Sequence, residues 1–339
     1  MKGGYRAEKR TQHTSVVDVF NTALNGRCKQ ESVPRGGPES PKALIINGDA
    51  LGVLKAVKEE NFLNVAVTSP PYWKLRPQLV EGEIGQEATI EEYLENLVTV
   101  FDEVRRLTKE TGSLWVNLGD RIIAGEEQQI PSRFASMMRE RGWILHKTII
   151  WAKSNYNPAG RLRNFPTTFE YVYWFIKSRD FYWNPLKEER RTDPVDETIQ
   201  RERRRRTKYS GQSKVGPGWS GRFHYGKKSA HEYLKSIQGG RAMIDVWTIP
   251  TACHGENEHT EPFPVEIPRR ALMATCPPGG CLLDPFCGSG TSGEAAIELG
   301  CDFVGIEINP RYAELAKRSL DIELATRSSS GMRSQSHVA

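Results

Sequence analysis

Cys281-Leu282-Leu283-Asp284-Pro285-Phe286-Cys287-Gly288-Ser289-Gly290-Thr291 decides the fold of this chain. A short apolar run ends in an acid, turns through a loop with glycines at 288 and 290, and enters a helical pattern that Gly300 stops. Asp302 to Ile306 then reads as the next strand, and Asn309-Pro310 opens another helix with Tyr312, Leu315, Ala316 and Leu320 on its inner face. Strand, glycine loop, helix and strand in that order make a βα unit of a mainly parallel sheet, with helices on both faces.

The same texture extends upstream. Ala43 to Ile46 is a short strand ended by Asn47-Gly48-Asp49, and Leu51, Leu54 and Val57 follow at helical spacing. Asn64 to Thr68 is a second strand that runs directly into Ser69-Pro70-Pro71-Tyr72. Thr89 and Glu92 form a capping-box pair, and Ile90, Tyr93, Leu94, Leu97, Phe101 and Val104 line one face of the helix they start. Gly112 is expected to end that unit, with strands at Ser113 to Asn117, Ile144 to Trp151 and Tyr171 to Ile176. Ligands of such sheets bind outside the carboxyl ends of the strands. The segments 69–72 and 284–291 both lie at such ends, so they are expected to open onto one crevice.

The 339 residues are 38% hydrophobic and 26% charged, with a net charge of +5, as in a globular protein with a mildly basic surface. Residues 1–41 read as a flexible N-terminal arm and 42–179 as one half of an α/β domain. Residues 180–245 break the texture with many arginines and glycines; 246–325 form the second half, and 326–339 a flexible, serine-rich tail. The charged N-terminus has no signal-peptide pattern, and no run of about eighteen apolar residues suggests a membrane span. The six cysteines, without a Cys-x-x-Cys pair, fit a reducing compartment.

The glycine loop has two readings. With Gly293 it satisfies Gly-x-Gly-x-x-Gly, and Glu307 stands where a ribose-binding acid belongs, so taken alone it suits a nicotinamide or flavin enzyme. A phosphate loop is excluded, because no lysine precedes Thr291. Asp284 tips the choice: a carboxylate at the strand tip repels a pyrophosphate but suits the cationic amino group of S-adenosylmethionine.

Pro70 and Pro71 fix the backbone after the strand and aim the Pro70 carbonyl. An exocyclic amino group on a nucleobase has two N–H donors and a lone pair delocalised into the ring. The Ser69 hydroxyl and the Pro70 carbonyl can each accept one hydrogen, which favours a pyramidal nitrogen with its lone pair aimed at an incoming methyl. Tyr72 offers a face on which an extruded base can stack, with Trp73 as a second wall.

Together these motifs resemble the DNA amino-methyltransferases, the N4-cytosine and N6-adenine enzymes of restriction–modification systems and phages. The resemblance covers about residues 42 to 320, and the catalytic motif precedes the cofactor loop, as in the circularly permuted β-class. It implies a Rossmann-like fold with an inserted target-recognition region at 180–245. It also implies that Asp284, Phe286, Gly288, Gly290 and Thr291 hold S-adenosyl-L-methionine, with Glu307 on the ribose and Asp49 on the adenine. The catalytic residues are then Ser69, Pro70, Pro71 and Tyr72; serine rather than Asp or Asn at 69 is the form associated with cytosine N4. His259-Thr260-Glu261-Pro262-Phe263-Pro264 resembles the segment that closes over the methionine end.

The partner so implied is double-stranded DNA, in the cytoplasm of a prokaryotic or phage-infected cell, with a companion restriction endonuclease and a monomeric or dimeric state left open. Arg201, Arg203 to Arg206 and Lys208, extended by Arg222, Lys227 and Lys228, could hold phosphates or form a solvated loop. Cys253, His254 and His259 lack a second ligand cluster, so no metal is expected. C5-cytosine chemistry needs a nucleophilic cysteine after a proline, and the chain has none. The alternatives kept open are adenine N6, an RNA or protein-glutamine substrate, and a DNA-binding module that has lost catalysis.

Overall fold

The computed structural model describes residues 41–75, 77, 80–155, 165–188, 241–251 and 263–335. The arm before Pro41, the basic run at 201–208, Arg222, Lys227, Lys228, Cys253, His254 and His259 to Pro262 lie outside those residues. The chain divides into one unit of residues 1–184 and 245–339 and a second of residues 185–244.

The first unit is built on an eight-stranded sheet. Its strands are β1 (Ala43–Asn47), β2 (Leu63–Thr68), β3 (Thr108–Leu118), β6 (Ile144–Lys153), β7 (Phe169–Ile176), β10 (Val246–Ile249), β11 (Cys281–Asp284) and β12 (Asp302–Glu307), and the hairpin β4 (Ile122–Ile123) and β5 (Glu126–Glu127) stands apart. The sheet order is β1-β12-β11-β2-β3-β7-β6-β10. β7 runs antiparallel to β3 and β6, and every other pair is parallel. In the second unit, β8 (Lys187–Glu188) pairs antiparallel with β9 (Arg241–Ala242).

The helices are α1 (Ala50–Ala56), α2 (Ile90–Leu107), α3 (Ile130–Glu140), α4 (Glu266–Thr275), α5 (Thr291–Glu298) and α6 (Pro310–Gln335). Thr89 caps α2 with Glu92 in the expected reciprocal box. The α2 face from Ile90 to Val104 is buried, joined by Val98, Val100 and Leu107. These side chains meet Leu63, Ala66, Leu114, Val116 and Phe175 from the sheet, forming the main core. Trp115, Trp143, Trp151 and Trp174 are likewise buried, as packing residues.

Three expectations need correction, and two helices come in addition to them. Gly112 does not end the α2 unit. The helix stops at Leu107, and Gly112 lies inside β3, where the register against β2 shifts between Leu63 and Val65 and the extra residues bulge. The tail expected from residue 326 is instead a continuation of α6, which runs to Gln335; once a helix is nucleated each added serine costs only a fraction of about 1 kcal/mol. The helices α3 and α4 had no counterpart in the sequence reading. Each carries a proline in its first turn (Pro131 and Pro268), where the absent N–H costs nothing. Finally Trp73 is no wall of an open site: it is buried in the core and donates Nε1–H to the Glu87 carbonyl at 3.1 Å.

Candidate active site

Parallel pairing brings the two motifs together. Leu282 and Leu283 of β11 lie opposite Val65 and Ala66 of β2. Both strands therefore reach the same edge of the sheet, and Asp284 and Thr68 end them side by side. On the far side of β11, β12 ends in Glu307, and beyond it β1 ends in Asn47.

Asp284 has no exposed surface, accepts a hydrogen bond from Phe286 N at 3.0 Å and another from the Ser292 hydroxyl, and lies against Thr68. Burial pushes its carboxyl up to about 6 despite those hydrogen bonds. Among the described residues no cation is paired with it. A buried acid of this kind is relieved by a bound cationic group.

The loop after it turns through Gly288 at φ +53° and Gly290 at φ +96°, and a Cβ on Gly290 would come within 3.2 Å of Ala316. The Phe286 ring meets the edge of Phe101 at 6.3 Å between centroids, and Thr291 starts α5. Glu307 is buried and its carboxyl raised by that burial; its oxygens accept from Gly288 N at 2.9 Å and Asn309 N at 2.8 Å. Each carboxylate oxygen has a second lone pair, so the capacity to accept from a ribose remains. Asn47 Nδ2 donates to the Glu307 and Ile308 carbonyls, and Asp49 caps α1 by accepting from Gly52 N at 2.7 Å. Asp49, Glu307, Asp284 and the glycine loop thus sit along three adjacent strand ends.

On the β2 side, the extended Ser69-Pro70-Pro71-Tyr72 segment is fixed at its far end by Tyr93, whose hydroxyl donates to the Pro71 carbonyl at 2.8 Å. The Pro70 carbonyl accepts no hydrogen bond among the described residues. The Tyr72 ring leans on Gly119, where a Cβ would approach Tyr72 Cε2 to 2.8 Å, so only glycine admits the ring there. Its hydroxyl donates to Glu170 Oε2 at 2.7 Å.

Sequence reasoning missed this neighbourhood. Asn117 lies at the end of β3, Gly119 directly follows that strand, and Lys153 ends β6. Because β7 is antiparallel, its first residues, including Glu170, share that edge. The available signal was an acid inside the aromatic run Phe169-Glu170-Tyr171-Val172-Tyr173, a charge on a strand with nowhere cheap to go.

A carboxylate-bearing glycine loop beside a serine–diproline turn on a permuted α/β sheet defines a group-transfer enzyme of the methyltransferase type. Residues 63–318 match the DNA methylase family model. The type II methyltransferase M.SmaI of Serratia marcescens is 31% identical over 91% of this chain and 98% of its own length. M.Cfr9I of Citrobacter freundii, also a type II methyltransferase, is 29% identical over 86% of this chain and 93% of its own length. Among solved structures, the PvuII DNA methyltransferase (cytosine-N4-specific) aligns over 82% of this chain and 86% of its own, with a TM-score of 0.58 and 18% identity, a likeness of fold. A DNA modification methylase of Thermus thermophilus, assigned as such provisionally and solved in complex with S-adenosyl-L-methionine, aligns over 84% of this chain and 96% of its own, with a TM-score of 0.51 and 26% identity. The chain belongs to the N6/N4 DNA amino-methyltransferase family of restriction–modification systems. Its methyl donor is S-adenosylmethionine. No helix among the described residues is long and apolar enough to cross a membrane.

Proposed function

We propose that the chain methylates the N4 amino group of cytosine in duplex DNA, on a base extruded from the helix. The observation that carries the reading is the adjacency of the β2 and β11 ends, which supports a donor site and an amino-group cradle a strand's width apart. Asp284 is assigned to the ammonium of the donor's methionine end, which suits a buried carboxylate with no cation paired to it among the described residues. Glu307 is assigned to the ribose and Asp49 to the adenine, with Phe286, Gly288, Gly290 and Thr291 shaping the cofactor pocket. The bound cofactor supplies a methyl group on a sulfonium centre.

On the substrate side, Ser69 Oγ and the Pro70 carbonyl each accept one amino hydrogen, and Pro71 keeps that carbonyl aimed. Tyr72 stacks on the base. Much of the acceleration then comes from alignment of nitrogen, methyl carbon and sulfur, which removes entropy from the barrier in advance. Serine at 69 favours cytosine N4 over adenine N6. Residues 180–245, with the basic run from Arg201 to Lys208, are assigned to target recognition. Mass spectrometry of nucleosides from duplex DNA treated with the protein and isotopically labelled S-adenosylmethionine tests the reading. Labelled N4-methylcytosine is expected; labelled N6-methyladenine would refute the choice of base, and label found only on RNA or protein would refute the substrate.

A further inference from the structure

The carboxylate of Glu170 is the centre of a hydrogen-bonded cluster that a cofactor pocket and an amino-group cradle do not by themselves require. Its Oε2 accepts from Tyr72 Oη at 2.7 Å and from Asn117 Nδ2 at 2.9 Å, and its Oε1 accepts from Lys153 Nζ at 2.6 Å. The glutamate and lysine side chains are only 12% and 19% exposed, and the ammonium also lies 5.1 Å from the centre of the Trp151 ring. Three donors from three separate elements converge on one acid: the turn after β2, the end of β3 and the end of β6.

The direction of the bonds matters. The Ser69 hydroxyl lies near the Tyr72 oxygen, and it is the one neighbour that favours the phenolate, against burial and the Glu170 charge. Tyr72 in turn donates to Glu170. Because Tyr72 gives its only hydroxyl hydrogen to Glu170, a bond between the Ser69 and Tyr72 oxygens has Ser69 as its donor, and the lone pairs of Ser69 Oγ are then left for the amino group.

We infer that Ser69, Tyr72 and Glu170 form a proton relay, with Glu170 accepting the proton that the amino nitrogen loses on methylation. The inference rests on the reading that an exocyclic amino group occupies the Ser69–Pro70 cradle. When the nitrogen lone pair forms the N–C bond, the C–S bond breaks and its electron pair stays on sulfur. The nitrogen is left cationic. Its surplus proton passes to Ser69 Oγ, the Ser69 proton to Tyr72 Oη, and the Tyr72 proton to Glu170 Oε2. The products are a neutral methylamino base, neutral serine and tyrosine, and a protonated glutamic acid, so charge and protons balance. No free tyrosinate forms, which matters because burial and Glu170 make one costly. Lys153 offsets the Glu170 charge in the resting site, and the slight exposure of Glu170 lets its proton escape to water after release.

Glu170 acts through Tyr72, so the rival is a plain clamp on the tyrosine ring. Glu170→Gln separates the two, because an amide carbonyl still accepts the Tyr72 hydrogen bond but does not take its proton. Single-turnover methylation of duplex DNA at saturating S-adenosylmethionine is compared for wild type, Glu170→Gln, Glu170→Asp, Tyr72→Phe and the Glu170→Gln/Tyr72→Phe pair, with cofactor affinity and melting curves measured alongside. A relay requires losses of about 100-fold for Glu170→Gln and for Tyr72→Phe, at unchanged cofactor affinity. It also requires no further loss in the double variant and recovery of most of the rate in Glu170→Asp. Glu170→Gln within about threefold of wild type, or single losses that multiply in the double variant, overturns it. Should Glu170→Gln fail to fold, the solvent deuterium isotope effect on the single-turnover rate decides: an effect present in wild type and lost in Tyr72→Phe supports the relay, and one absent from wild type or unchanged in Tyr72→Phe overturns it. The modified base is identified in the same digests. A wild type that makes N6-methyladenine overturns the choice of cytosine and leaves the variant ratios to decide the relay, whereas a wild type that methylates no amino group overturns both.

Discussion

Replacing Asp284 by asparagine keeps the shape of a fully buried side chain and removes its charge. A carboxyl raised from the usual ~3.9 to about 6 has an ionised form that its surroundings disfavour by about 3 kcal/mol, at roughly 1.4 kcal/mol per tenfold. The sign follows from proton binding. The native carboxyl holds its proton more tightly than the unfolded chain does, so the unliganded protein loses stability as pH rises from about 4 through about 6. A cationic ammonium placed on the carboxylate reverses that preference. Donor binding should therefore strengthen as pH rises through about 6 and weaken about tenfold between pH ~7.5 and ~5, where about nine tenths of the carboxyl is protonated. Asp284→Asn should bind S-adenosylmethionine about 100-fold more weakly near pH 7.5, with a flatter pH dependence, while its unliganded form melts at a higher temperature than wild type. Glu307 is also raised, first by burial and in part by the Asp284 charge, so the same comparison in a Glu307→Gln background separates the Asp284 contribution from that of Glu307. Calorimetric titration and thermal melts at several pH values provide both readings. A wild-type affinity that is flat with pH, or a variant that binds within about threefold of wild type, refutes the reasoning.

Ser69→Ala should lower the single-turnover rate by about 100-fold and leave cofactor affinity nearly unchanged, because it removes the amino-group acceptor and first relay member but no part of the cofactor site; equal losses in both, measured by rapid quench and calorimetry, would contradict this. Gly119→Ala should displace the Tyr72 ring, which a Cβ would meet at 2.8 Å, and so depress turnover with cofactor binding intact; a fully active variant would show that the ring position is unimportant. Tyr93→Phe strands the Pro71 carbonyl, so unfolding in urea should show a loss of about 1–2 kcal/mol, accompanied by slower methyl transfer; unchanged stability and rate would mean that the turn is held by other contacts.

The legible part of the fold was the part with local signals. The capping box at Thr89 and Glu92, the apolar stripe of α2, and the strand–glycine loop–helix unit at 281–298 each follow from spacing over a few residues. Adjacency of the two motifs was also reachable, because parallel strands of one sheet must end on one edge. The antiparallel insertion of β7 was not, since a run of aromatic and β-branched residues carries no direction. That reversal sets Glu170 beside Tyr72 although the two are 98 residues apart in the chain. Trp73 was misassigned for a related reason: an aromatic next to a candidate site looks the same whether it faces a substrate or, as here, the core. Long-range partners such as Asn117 and Lys153 leave no periodic trace, so only the folded chain reveals them.

A crystal structure of the protein with an unreactive analogue of S-adenosylmethionine and a cognate DNA duplex would measure the central geometry directly. The extruded base should be a cytosine whose N4 lies about 3 Å from both Ser69 Oγ and the Pro70 carbonyl oxygen, with the analogue's amino group on Asp284. A flipped base held elsewhere, or an analogue whose amino group avoids Asp284, would contradict it.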